Sequence, residues 1–114
     1  MALLPDETII IVQNLQRDIL ERLHAVTATE FSIQELFGEI SEMLDYFEQL
    51  QNAKERLYTY YRRFYITLQQ IYEAQPLASR DMLILLTRYI DEAEATAAST
   101  EATVQEIRRD INLP

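Results

Sequence analysis

Residues 33–71, IQELFGEISEMLDYFEQLQNAKERLYTYYRRFYITLQQI, decide the fold class of this chain. Ile33, Leu36, Ile40, Met43, Phe47, Leu50, Leu57, Tyr61, Phe64, Leu68 and Ile71 follow one another at alternating spacings of three and four, with Lys54 as the sole interruption. That is the a/d seam of packed helices, in which apolar side chains return to one face every half-heptad. Read as one helix, the segment is about 60 Å long, against roughly 35 Å for the width of a compact domain of this size. The expectation is a central helix over about 33–74 that the rest of the chain cannot cover.

The flanking residues supply the ends. Ser32 and Glu35 form an S-x-x-E capping box in front of the seam. Pro76 ends it near Ala74, because the residue before a proline is pushed out of the helical region. On this reading Gly38 sits on the outer face and costs only a little helix propensity. Upstream, Val12, Leu15, Ile19, Leu23 and Val26 recur at helical intervals. Pro5 suits the first turn, and Asp6 and Glu7 complement the positive end of the dipole. A first helix is expected over about 5–26, with a strand start at the β-branched run 9–12 as the alternative, and 27–30 reads as a polar connection.

Downstream, Ser79 can cap a third helix over about 79–112. Its apolar positions are Leu83, Leu86, Ile90, Ala93, Ala97, Thr100, Val104, Ile107 and Ile111, and the phase survives across ATAASTEAT. A break near 97–103 is the alternative, since Ser99, or Thr103 with Glu106, could cap a separate helix. The predicted fold is all-α: one domain over 1–114, an elongated antiparallel bundle of three helices with coiled-coil-like packing. It has four helices if the third breaks.

Composition agrees with that class and narrows the functions. One glycine, three prolines and no cysteine in 114 residues argue against β-sandwich and nucleotide-binding α/β folds, and remove disulfides and thiolate chemistry. A net charge of −9 disfavours phosphate backbones and anionic membrane surfaces. MALLPDE lacks the basic start of a secretory signal, and MLILL at 82–86 is too short to span a bilayer. A soluble, cytoplasmic protein is expected.

Aromatic residues concentrate in the second half of the seam, where a short first helix leaves it with one intrachain neighbour. Leu57, Tyr58, Tyr60, Tyr61, Phe64, Tyr65, Leu68 and Tyr72, flanked by Arg62 and Arg63, are therefore the expected protein interface. The partner is a second copy, as a homodimer or higher oligomer, or a larger protein. Glu35, Glu39, Glu42, Asp45 and Glu48 precede Lys54, Arg56, Arg62 and Arg63. This order suits either an antiparallel partner of matching charge or simply solvent and the helix dipole.

Chemical motifs are weak. Glu21 and His24 have the E-x-x-H spacing of di-iron bundles, which need two such units where this chain has one histidine; an exposed histidine near a helix end is the simpler reading. Glu35, Glu39, Glu42 and Asp45, with Asp91, Glu92 and Glu94, are spaced as in helical Mg²⁺-binding pyrophosphohydrolases, but the first group falls on outward lines of its helix. YTYYRRFY at 58–65 mixes aromatics with arginines as single-strand binders do, yet the helix phase turns the aromatics inward. No nucleophile triad, phosphate loop or zinc spacing is present. The sequence thus points to no catalytic, cofactor-binding or metal-binding residue, and to a non-enzymatic helical assembly module: an adaptor, an assembly chaperone or a structural subunit. The second reading is an acidic regulator that covers a basic surface of a nucleic-acid-binding partner through Glu35, Glu39, Glu42, Asp45 and Glu48.

Overall fold

Gly38 is where the chain first reverses. It adopts φ +72°, a left-handed conformation that an L side chain resists, and its N–H donates to the Gln34 carbonyl at 3.0 Å to close the preceding turn. In the computed structural model, which describes residues 6–76 and 78–113, helix α1 accordingly runs Asp6–Phe37. A 3-10 turn, Ser41–Met43, leads into α2, Leu44–Glu73, and α3 covers Arg80–Asp110. Pro5 lies outside the described residues.

The central helix is thus shorter than the seam suggested, and α1 is longer. Residues 27–30 are helical: they contain neither glycine nor proline, and the buried Thr29 donates its hydroxyl to the Ala25 carbonyl at 2.8 Å. Ser32 sits inside α1, so the expected capping box does not form, and the run 9–12 is helix rather than strand. Ile33 belongs to the apolar stripe of α1, whereas Leu36 and Ile40, counted in the seam, are exposed around the reversal.

The remaining ends follow the sequence. Ala74 stands at the C-terminus of α2, two residues before Pro76, whose peptide bond with Gln75 is cis. Ser79 caps α3 by accepting from the Met82 N–H at 3.2 Å. The helix then continues unbroken through 97–103, with Thr100 and Thr103 folding their hydroxyls back onto the carbonyls of Thr96 and Ser99.

All three helices pack on one another around two core clusters. The first joins Val12, Leu15 and Ile19 of α1 to Leu57, Phe64 and Ile71 of α2 and to Leu86 and Ala93 of α3. The second joins Val26 and Ile33 to Met43 and Leu50 and to Val104 and Ile107. Early α1 and early α3 therefore meet late α2, so α2 runs antiparallel to its two neighbours. With two neighbours, its buried stripe is wider than one a/d seam: Ala53 and Thr67 are buried beside the line Met43, Leu50, Leu57, Phe64 and Ile71.

Lys54, the interruption in the seam, pairs with Glu30 of α1 at 2.8 Å. Arg22 similarly bridges α1 to Glu101 of α3 at 3.0 Å. The bundle measures 57 × 21 × 17 Å with a radius of gyration of 17.4 Å, against about 13 Å for a compact chain of this length. Its surface of 7458 Å² likewise exceeds the roughly 6,500 Å² typical of this mass. Among the described residues no element lies across the three long helices, and the groove between α1 and α2 is open to solvent.

Candidate interaction surface

The ten residues that the sequence marks as an interface are divided by the fold. Leu57 and Phe64 are fully buried in the first core cluster and cannot touch a partner. Tyr60, Tyr61 and Leu68 pack against that cluster and are half-buried. Tyr58, Tyr65 and Tyr72 are exposed, with Tyr65 showing 65% of its surface. Late α2 has two intrachain neighbours rather than one, because α1 extends along its whole length once the chain turns at Gly38.

The exposed tyrosines share one line of α2 at seven-residue spacing, Leu44, Gln51, Tyr58, Tyr65 and Tyr72. Leu44 at one end of this line and Tyr65 and Tyr72 at the other wall depressions between α1 and α2 to which α3 contributes no residue. At the far end the groove is a shallow depression of about 330 Å³ between Gln16 of α1 and Tyr65, Leu68, Gln69 and Tyr72 of α2. At the turn end it widens to about 630 Å³ between Phe31 and Gln34 of α1 and Leu44 and Phe47 of α2. On α1 the exposed Leu20 lies on the same seven-residue line as Thr27 and Gln34, both of which line that wider end. Both depressions mix aromatic and aliphatic residues with polar ones, and α3 contributes no residue to either.

The arginines are also divided. Arg63 has its guanidinium 5.2 Å from the ring centres of both Tyr60 and Tyr89, so it fastens α2 to α3. Arg62 lies over Tyr58 at 5.8 Å, at the rim of the open groove. YTYYRRFY is therefore no basic-aromatic strip on one face: its members are shared among the core, the α2/α3 contact and the α1/α2 groove.

The carboxylates of 35–48 are exposed, and among the described residues none of Glu35, Glu39, Glu42, Asp45 and Glu48 pairs with a cation. Glu39 accepts from Gln34 at 2.9 Å and Asp45 from Gln49 at 2.8 Å. Asp91, Glu92 and Glu94 stand elsewhere. α3 meets early α2 through Val104 and Ile107, which lie about 18 and 22 Å further along its axis than Glu92. Glu92 instead approaches the Tyr60 hydroxyl and Arg88. Glu21 pairs with Arg17 at 3.4 Å, and His24 is exposed in the middle of α1 rather than near a helix end. Among the described residues no three histidine or carboxylate side chains converge as a metal site.

The exposed apolar residues at the chain reversal, Phe31, Phe37, Ile40 and Leu44, escaped the sequence reading. Their signal was the lone glycine at 38, which marks the turn that strands them. Among the described residues no helix is long and apolar enough to cross a membrane. No protein-family model matches the chain, and no curated protein or solved structure is found to match it.

Proposed function

We propose that this protein is a non-enzymatic helical assembly module that pairs with a second copy of itself through the exposed tyrosines of α2. One observation carries the reading: Tyr58, Tyr65 and Tyr72 are exposed at equal spacing along one line of α2, and Tyr65 and Tyr72 wall an open depression. A row of three equally spaced residues is self-complementary when two copies meet antiparallel. Tyr65 then faces its own equivalent at a two-fold axis, and Tyr58 of each protomer faces Tyr72 of the other. Tyrosine suits this position, since its ring buries area at low entropic cost while its hydroxyl stays hydrated.

The strip is about 21 Å long, so two such faces bury on the order of 900 Å² in total, which belongs to small and reversible interfaces. The antiparallel arrangement also holds the acidic turn ends of the two copies apart. Lys54 and Arg63 are engaged within the chain and Arg56 shares the flank of Arg63, which leaves Arg62, over Tyr58 at the rim, as the cation beside the strip. The cysteine-free composition requires no oxidising compartment and is consistent with a cytoplasmic setting.

Because the chain has no cysteine, Tyr65→Cys introduces a single thiol at the expected axis. Mild oxidation should convert this variant to a covalent dimer, while Glu106→Cys, exposed on α3, should remain monomeric. Sedimentation equilibrium at about 100 μM should show the wild-type dimer, and Tyr65→Glu should weaken it at least about tenfold, since each substitution acts twice at the axis. A monomeric wild-type protein, or cross-linking at 106 and not at 65, would remove this function.

A further inference from the structure

We infer that the turn end of the α1/α2 groove is a docking site for a basic amphipathic helix of a partner protein. The site is distinct from the tyrosine strip: Leu44 lies about 30 Å along α2 from Tyr65. It begins with the depression of about 630 Å³ walled by Phe31, Gln34, Leu44 and Phe47. Phe31 is 65% exposed and Leu44 is 58% exposed, although both are large apolar residues on well-formed helices. The space exists because the chain takes the six residues 38–43 to reverse, which spreads the last turn of α1 from the first turn of α2.

Charge identifies the occupant. Between His24 and Lys54 the sequence contains no lysine, arginine or histidine, and this stretch builds both walls of the depression. Glu30 lies at the depression and is already neutralised by Lys54. Glu39 lines the depression, Glu35, Glu42, Asp45 and Glu48 are exposed on the segments that build it, and among the described residues none of the five pairs with a cation. The nearest cation shown, Lys54, is occupied by Glu30, and α3 contributes no residue to the depression.

A depression with Phe31, Leu44 and Phe47 on its walls, Glu39 at its lining and further exposed carboxylates on the adjoining turns is complementary to a helix carrying aliphatic anchors on one face and Lys or Arg along its flanks. A second copy of this chain is a poor occupant, because it would bring the same carboxylates against themselves. Nucleic acid is repelled for the same reason. A partner helix would seat two or three anchors between Phe31, Leu44 and Phe47, with its bases reaching Glu39 and Glu48. Phe37 and Ile40, exposed in the adjoining turn, extend the apolar surface at this end.

The test uses the full chain and a fluorescein-labelled 18-residue peptide with Leu at helical i, i+3, i+4 and i+7 positions and Lys on both flanks. Fluorescence anisotropy at physiological salt should give saturable micromolar binding. A matched peptide with Glu in place of Lys, and a scrambled basic peptide with no apolar face, should each bind at least tenfold more weakly. Phe31→Ser, at an exposed position that leaves folding intact by circular dichroism, should weaken the basic peptide about tenfold, and so should the triple variant Glu35→Gln, Glu39→Gln, Glu48→Gln. Tyr65→Glu should leave it unchanged. Equal binding of the scrambled peptide, or insensitivity to Phe31→Ser, would reduce the interaction to nonspecific charge attraction and overturn the inference. Loss of binding with Tyr65→Glu would overturn it too, by placing the peptide at the tyrosine strip.

Discussion

The two flanks of α2 carry similar residues and meet opposite fates. Toward α3, Tyr60 is half-buried, its hydroxyl approaches Glu92 at 3.5 Å, and Arg63 is held between Tyr60 and Tyr89. Toward the open side of α1, Tyr58, Tyr65 and Tyr72 remain exposed, and Arg62 covers only Tyr58. The tyrosines are the same; what faces them differs. Early α3 offers Met82, Tyr89 and Ile90, large side chains that close over the core, whereas the α1 side of the groove offers Gln16, Leu20 and Thr27. An aromatic-rich helix therefore reveals a contact surface only after the opposing residues are known.

The sharpest way to break this comparison is to truncate one residue of the core and one of the groove. Phe64→Ala empties a fully buried ring site touched from both neighbouring helices and should cost about 3–5 kcal/mol in urea denaturation. Tyr65→Ala, one residue on, should change the stability of the monomer by less than about 0.5 kcal/mol when measured at low protein concentration, because its side chain is exposed. Similar losses at 64 and 65 would mean that the groove is closed.

The all-α class, the antiparallel order and the line from Met43 to Ile71 were legible because a heptad phase over many turns has few alternative explanations. Late α2, and α3 from Leu86 to Ile107, followed that phase, although Leu83, expected on the same line, is exposed; Ser79 and Pro76 punctuated the helices through local chemistry that tertiary packing had no reason to override. The reversal at Gly38 was not legible from the same pattern. Leu36 and Ile40 keep the spacing across it by coincidence, and both point to solvent once the chain turns. A glycine costs only about 1 kcal/mol inside a helix, so propensity alone could not choose between outer-face placement and a left-handed terminus. The choice was made by Ile33 and Glu30, whose contacts with the other helices require α1 to continue past 30, with Thr29 buried beside them. That one boundary also changes which residues are exposed: it leaves Phe31 and Leu44 open to solvent and buries Leu57 and Phe64, which a shorter α1 would have left on the surface.

Gly38→Ala tests the boundary and has the next largest effect. Nothing lies within 4 Å of where the added carbon would stand, so its cost is backbone strain alone, about 1–2 kcal/mol. Had the glycine been on the outer face of a continuous helix, the same change would stabilise by about 1 kcal/mol. The sign of the shift in melting temperature therefore decides which ending of α1 is correct.

The smallest expected difference is between the adjacent arginines, and it bears most directly on the two flanks. Arg63 lies over two rings from two helices, so Arg63→Ala removes a tertiary contact as well as a charge, for a loss of about 1 kcal/mol. Arg62 lies over one ring on its own helix, four residues away and largely in water, and Arg62→Ala should cost less than about 0.5 kcal/mol. Association should respond in the opposite order. Arg62 borders the strip where two copies would meet, so its loss should weaken dimerisation measured by sedimentation, whereas Arg63→Ala should lower the denaturation midpoint and leave the dimer constant unchanged. If both variants altered stability and association alike, the two flanks of α2 would not be functionally separate, and the assignment of one to the fold and the other to a partner would fail.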